Sequence, residues 1–445
     1  MNFRMSLLNV LSLVVLLFLG SVGCPGNGPP PVEIPPTPRI DPPPPLPPDP
    51  PPPLPGLSLL QVSHHNTLMI DDPGADSILT AASTVAQTNN GLGDAPCPVT
   101  LKRNGSITTF GSPSFINSPA DLNAVLALPG QVKVVNQINW CGGLSPNIIG
   151  CAPVPGTSLV VVRFLPVSEG ILWLHEYGHN KGLNHRDDPT AVMHPTLDQS
   201  RTMITAEECT KYMATSVAAA QVGVMESRFD MAQGQGGTGQ LMPVESFVRQ
   251  TFVHGVPYAT ASQYGPETVP KLLAMLNDPA EKDYWANIVI TLGMIGDTRA
   301  VEALIAFVEK GGDSRTSPVH YRAKTSALMA MGYLINKSGS QKAIAYLKNY
   351  IEPSGAGETP MHGRGAFQPV LAERDTQLST MAILGLALSG HPNAKEVLQS
   401  LQRPAVTEST ARFQAQVSDV VSEALKTYDT ISREGLANYY RESQR

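Results

Sequence analysis

Charge is scarce in this 445-residue chain: 15% of residues are Asp, Glu, Lys or Arg, against about 25% in an average soluble protein. No cluster of lysine or arginine occurs, and the formal net charge is −6, which excludes a nucleic-acid binder held by basic patches. No apolar run reaches the roughly 20 residues that span a bilayer. The five cysteines include no CxxC pair, so a cysteine-based structural metal site is also excluded. Proline, by contrast, is abundant but confined. Of 41 prolines, 18 fall between Cys24 and Pro55, and the remaining 23 are spread at ordinary density. With 42% hydrophobic residues, the rest of the chain can fill more than one core.

The remaining charge is unevenly placed. From Ser58 to Gln240 there are 9 basic and 14 acidic residues, and from Leu241 to Arg445 there are 20 of each. The acidic excess thus belongs to the middle of the chain, where it fits a cation-binding region or a merely solvated surface.

Residues 1–23 read as a signal peptide, with Arg4 ahead of an apolar stretch from Leu7 to Leu19 and the small residues Gly20, Ser21 and Gly23. A retained anchor is the competing reading. Ser21-Val22-Gly23-Cys24 resembles the lipobox of bacterial lipoproteins, with Ser21 where that family prefers Leu. The resemblance implies lipidation at Cys24 and membrane attachment through a lipid anchor. The expected location is therefore outside the cytoplasm, as a cell-envelope lipoprotein or a secreted protein. Residues 24–57 are then a proline-rich tether, extended at about 3.1 Å per residue, or else a proline-rich ligand for another protein. In an exported chain the four other cysteines predict two disulfides with three possible connectivities. Cys141 with Cys151 is the local pairing, which leaves Cys97 with Cys209.

Residues Ile171–Pro195 read ILWLHEYGHNKGLNHRDDPTAVMHP and hold four of the ten histidines. His175 and His179 are four apart on a helical pattern with Ser168 as expected N-cap, so both imidazoles share one face. Glu176 adjoins the first, placed to take a proton from water at a metal. Gly182 can end the helix in a left-handed turn and let His185 return as a third ligand. Three histidines leave the fourth position of a tetrahedral zinc open, the pattern of a catalytic site.

The whole string, HExxHxxGxxH, resembles the metzincin clan of zinc peptidases. Ala191-Val192-Met193-His194-Pro195 looks like its Met-turn, and Gly182-Leu183 with Asp187-Asp188-Pro189 look most like matrixins. The resemblance covers about 25 residues. It implies one zinc ion held by His175, His179 and His185, Glu176 as general base, Met193 as the floor of the site, and a protein or peptide substrate. No structural-zinc loop, Asp-rich calcium segment or cysteine-switch propeptide is recognisable. His194 is an inert rim residue or a substrate contact.

The expected elements of this α+β peptidase domain, residues 58–232, are helices near 76–87 and from Thr205 to about Ala219, and strands near 99–103, 132–136 and 158–164. Residues 233–244, with QGQGGTGQ, read as a linker. Residues 245–445 are expected to be all-α and repetitive. Glycine-containing apolar helices around Gly293, Gly332 and Gly385 each lead into an amphipathic one, and the spacings of 39 and 53 fit helical pairs with an enlarged loop at 353–374. This resembles a HEAT-like solenoid, which implies a concave surface for a protein partner; a plain helical bundle is the competing reading. Helices after Thr410 are expected to cap it. The chain is thus expected to be an extracytoplasmic zinc endopeptidase with a binding region. The alternative is a surface binding lipoprotein whose peptidase domain is inactive.

Overall fold

The computed structural model describes residues 56–88, 96–214, 228–231, 241–310, 318–351, 368–405 and 407–442, all within a unit running from Pro53 to Arg445. The signal segment, Cys24, nearly all of the proline-rich stretch and most of the expected linker lie outside the described residues.

The N-terminal part is α+β. It begins with β1 (Leu57–Leu60) and β2 (Val62–His65), then α1 (Asp72–Gln87), which starts a turn earlier than expected. The reason is local: the Asp71 side chain accepts from Gly74 N–H and Pro73 sits in the first turn. There follow β3 (Thr100–Arg103), β4 (Thr108–Phe110), β5 (Phe115–Ile116), α2 (Pro119–Leu126), β6 (Val132–Val135), β7 (Gln137–Trp140), β8 (Leu144–Ile148), β9 (Gly150–Cys151) and β10 (Leu159–Val162). The central sheet has the order β4-β2-β6-β10-β9, parallel except for the edge strand β9. Its inner strands are buried along their whole length, as expected where a parallel sheet is covered on both faces. Polar residues interrupt the apolar pattern: Ser63, His64 and His65 on β2 are buried, and Lys133 on β6 is fully buried, its Nζ donating to the carbonyls of Gly130 and Leu126.

The next helix, α3 (Pro166–Asn180), is buried almost throughout and packs against α1. It is capped by Leu165 with Pro166 in its first position, so Ser168 lies inside the first turn and is not the N-cap. Proline preset for helical φ replaces the expected hydroxyl cap. After it come β11 (Thr196–Leu197) and α4 (Ala206–Met213), the latter opened by a Thr205–Glu208 capping box. Residues 215–227, into which this helix was expected to run, lie outside the described residues.

Beyond α5 (Val244–Val248) and β12 (Thr251–Phe252) the chain is helical: α6 (Tyr258–Ala261), α7 (Val269–Asn277), α8 (Trp285–Ile295), α9 (Ala300–Glu309), α10 (Pro318–Ser338), α11 (Gln341–Ile351), α12 (Gln368–Ser389), α13 (Pro392–Ser400), α14 (Glu408–Glu434) and α15 (Leu436–Glu442). Helices α8, α10, α12 and α14 stack in succession, each against the next. Close backbone approach explains the repeated glycines. A Cβ on Gly293 would collide with Ala330 O, one on Gly332 with Gly385 O, and one on Gly385 with Leu328 O. The expected 353–374 loop is shorter than its composition suggested, because residues 368–374 already form the first turns of α12.

The helical region lies directly on the α+β part. Leu144 N–H donates to the Tyr439 hydroxyl at 2.8 Å, and the Tyr440 hydroxyl donates to Leu144 O at 2.7 Å. Asn147 Nδ2 donates to Asn287 Oδ1 at 3.0 Å, and Arg322 donates to Arg163 O at 3.2 Å.

Candidate metal centre

Helix α3 presents His175 and His179 on one face, with ring centroids 4.8 Å apart. The helix ends where Gly182 takes φ +78°. Leu183 N–H bonds back to Gly178 O and Gly182 N–H to His179 O, the paired bonds of a Schellman cap. This turn does two things. It returns the chain so that His185 Nε2 lies 3.2 Å from His175 Nε2, and it aims Leu183 O at His179 Nδ1, 2.8 Å away.

The Leu183 contact is one of a set. His175 Nδ1 donates to Val192 O at 2.8 Å, and His185 Nδ1 lies 3.1 Å from Asp230 Oδ1. A fourth histidine, His254, donates from Nδ1 to Gly150 O at 3.0 Å. Since carbonyl and carboxylate oxygens only accept, each Nδ1 carries the proton and each Nε2 keeps its lone pair. The donor atoms of the four histidines lie within 4.8 Å of one another. Two imidazole lone pairs facing each other at 3.2 Å are repulsive unless a cation lies between them, and tetrahedral zinc with Zn–N bonds of about 2.0–2.1 Å would set its ligands roughly 3.3 Å apart. The residues therefore fit a metal ion, with outer acceptors already fixing the rings.

Burial supports the same protonation state. His175, His179 and His254 are buried. Loss of water, then the neighbouring imidazoles, hold His175 and His254 well below the ordinary imidazole range and bring His179 down to about 3. Glu176 is also fully buried, neither carboxylate oxygen has a hydrogen-bond partner among the described residues, and burial pushes its pKa well up. Its Oε1 is 4.0 Å from His254 Nε2. Edge strand β9 crosses directly over it, so closely that a Cβ at position 150 would strike the Glu176 carboxylate. A buried ionisable group so placed beside converging imidazoles makes Glu176 a candidate functional residue.

Met193 is buried against Gly178 of α3, its Sδ 3.3 Å from the Tyr212 hydroxyl, in a tight turn where His194 N–H bonds to Ala191 O. His194 is not one of the four converging histidines. Its Nδ1 accepts from Thr196 N–H at 3.1 Å, and burial with the adjacent Arg201 lowers its pKa to about 4.

Both expected disulfides are present, Cys97–Cys209 and Cys141–Cys151. The second ties the end of β7 to β9, the strand over Glu176. Beyond β9, a cavity of about 600 Å³ opens between the α+β part and helices α8 and α10, lined by Ile149, Leu197, Phe252 and Arg322 among others.

Two residues at the site are absent from the sequence expectation. His254 follows the expected linker and belongs to no motif. Asp230 accepts His185 N–H at 2.6 Å through one carboxylate oxygen and sets the other 3.1 Å from His185 Nδ1. No spacing rule links either to the HExxH string; the one signal was the position of His254 in the otherwise apolar stretch Phe252–Tyr258.

The PBS lyase HEAT-like repeat family matches residues 286–310, the pair α8 and α9, so this stretch is a HEAT-like repeat. No curated protein matches the chain.

Proposed function

We propose that the protein is a zinc-dependent endopeptidase of metzincin-like type that acts outside the cytoplasm, with its HEAT-like region engaging the protein substrate or a partner. The observation that carries this reading is the Glu176 carboxylate, buried without a hydrogen-bond partner among the described residues, beside a converging set of imidazole lone pairs. His175, His179 and His185 would hold the ion. Zinc bound there supplies Lewis-acid polarisation of a peptide carbonyl and acidifies water.

The chain's own groups do the rest. Glu176, whose carboxyl burial pushes up from the usual carboxylate range, takes the proton of the attacking water and delivers it to the leaving amine. Val192 O, Leu183 O and Asp230 hold the imidazoles in the tautomer that a metal needs. Export is supported by the two disulfides, which persist in oxidising compartments; among the described residues no helix is long and apolar enough to cross a membrane. A lipid anchor at Cys24 and the proline-rich tether complete the proposal from the sequence.

The test is zinc content and cleavage of a denatured protein, with a hydroxamate chelator as inhibitor. Glu176→Ala should retain zinc and lose cleavage by about 10²- to 10⁴-fold, the usual worth of a general base. Undiminished cleavage by that variant would remove Glu176 from the reaction. A zinc-free, inert protein that still captures a partner would favour the binding-lipoprotein reading.

A further inference from the structure

His254 does more than neighbour the three motif histidines. It is carried by an extended segment, residues 251–254, that runs between two other stretches of backbone. On one side Ile149 N–H donates to Val253 O at 2.8 Å, and His254 bridges Ile148 antiparallel. On the other, Val253 N–H donates to Pro195 O at 3.1 Å, and β12 pairs antiparallel with β11. The segment is thus a strand added to the exposed edge beside the site, the way an extended peptide is bound by main-chain hydrogen bonds. It ends with an imidazole whose Nδ1 is fixed on Gly150 O and whose ring lies 5.1 Å, centroid to centroid, from His185. His254 is 3% exposed and Glu176 0%, so no polypeptide reaches the general base while this segment is in place.

We propose that His254 is a fourth imidazole ligand of the metal, and that segment 251–254 occupies the place of a substrate backbone, so that the folded protein is a latent peptidase. The inference rests on the peptidase reading but makes a separate claim about coordination. A catalytic ion needs an open position for water and a structural ion has four protein ligands; with His254 bound this site is of the second kind. Activity then requires His254 to leave and water to replace it, a ligand exchange in which nothing is oxidised or reduced. Latency needs no propeptide, because the chain supplies its own occupant.

The experiment uses the full chain loaded with zinc and, in parallel, with cobalt. X-ray absorption should count four imidazoles per zinc in the wild type and three plus an oxygen donor in His254→Ala, with a matching change in the visible spectrum of the cobalt protein. Zinc affinity should fall by at least roughly 10- to 100-fold in His254→Ala, since loss of an outer-shell partner alone costs that much. Cleavage of denatured protein should rise at least about tenfold if the open fraction of the wild type is about a tenth or less, and His254→Ala/Glu176→Ala should be inert. Val253→Pro removes the N–H that bonds Pro195 O while keeping His254; it should also raise cleavage and lower the imidazole count. Three imidazoles and an oxygen in the wild type, or a wild type that cleaves as fast as His254→Ala, would overturn the proposal and leave the peptidase reading intact. Four imidazoles with no cleavage by any variant would uphold the coordination and refute the peptidase. Absence of bound metal would refute both.

Discussion

Asp230 tests whether the outer acceptors at the candidate metal site matter. One of its carboxylate oxygens faces His185 Nδ1 at 3.1 Å, and the other accepts His185 N–H at 2.6 Å. Both neighbours are donors, so both oxygens are needed. Asp230→Asn keeps shape and volume but turns one oxygen into a second donor, and one of the two contacts becomes donor against donor. A hydrogen bond to a charged group is worth about 1.5–3 kcal/mol, and each 1.4 kcal/mol is about a factor of ten in affinity. Zinc affinity should therefore fall by roughly 10- to 100-fold, the range found for outer-shell partners of metal ligands. Asp230→Ala, which loses both contacts, should fall at least as far. The segment itself should stay in place, because Val154 N–H bonds Arg228 O at 2.9 Å and Phe229 packs edge-on against Trp140. The assay is competition for zinc against a chromophoric chelator at neutral pH. Asp188→Asn serves as control, since Asp188 caps Thr190 and touches no histidine of the cluster. If Asp230→Asn bound zinc as tightly as the wild type, the bracing of His185 would be decoration and the reasoning about fixed tautomers would fail.

Gly332→Ala sets two effects of opposite sign against each other: about 1 kcal/mol gained in helix propensity and about 1–3 kcal/mol lost in overpacking. The new Cβ would meet the Gly385 carbonyl, which is backbone and cannot rotate away, so urea denaturation should show net destabilisation; a stabilised variant would refute the close crossing of α10 and α12. Burial lowers the Lys133 pKa to about 8, so between about pH 8 and 10.4 the unfolded chain binds the extra proton. The cost of burying this amine is thus full below pH 8 and fades as pH rises, and stability should climb by up to about 1.4 kcal/mol per unit in that window. Lys133→Met should flatten that climb in urea midpoints; equal slopes in both proteins would show that Lys133 is charged in the fold.

How far the site was legible depends on where its parts lie in the chain. His175, Glu176, His179, Gly182 and His185 sit within eleven residues and one helix with its cap, so spacing alone places them on a common centre. The helical region was legible for a similar reason: Gly293, Gly332 and Gly385 recur because three neighbouring helices touch backbone to backbone. The disulfide pairing also followed from sequence, by elimination once the local pair was chosen. What was not legible is long-range. Asp230 is 45 residues from His185, and His254 reaches Gly150 across 104; only the closing of the chain on itself brings them in. Helix starts were misjudged for a smaller reason. At α3 a proline in the first turn did the work expected of Ser168, and two equally valid start signals cannot be ranked without the tertiary packing.

The two tyrosines of α15 have a practical meaning for anyone who would cut this chain. A fragment ending at the glycine-rich stretch near residue 233 would carry the complete HExxHxxGxxH string and look self-sufficient. It would nevertheless leave both polar groups of the Leu144 backbone without the hydroxyls of Tyr439 and Tyr440. It would strip Asn147 of Asn287 and uncover the edge at Ile148 and Ile149 where residues 253–254 now pair. Such an edge invites strand pairing between copies. The excised piece should therefore aggregate, or cleave without restraint, and in neither case would it report on the protein from which it came.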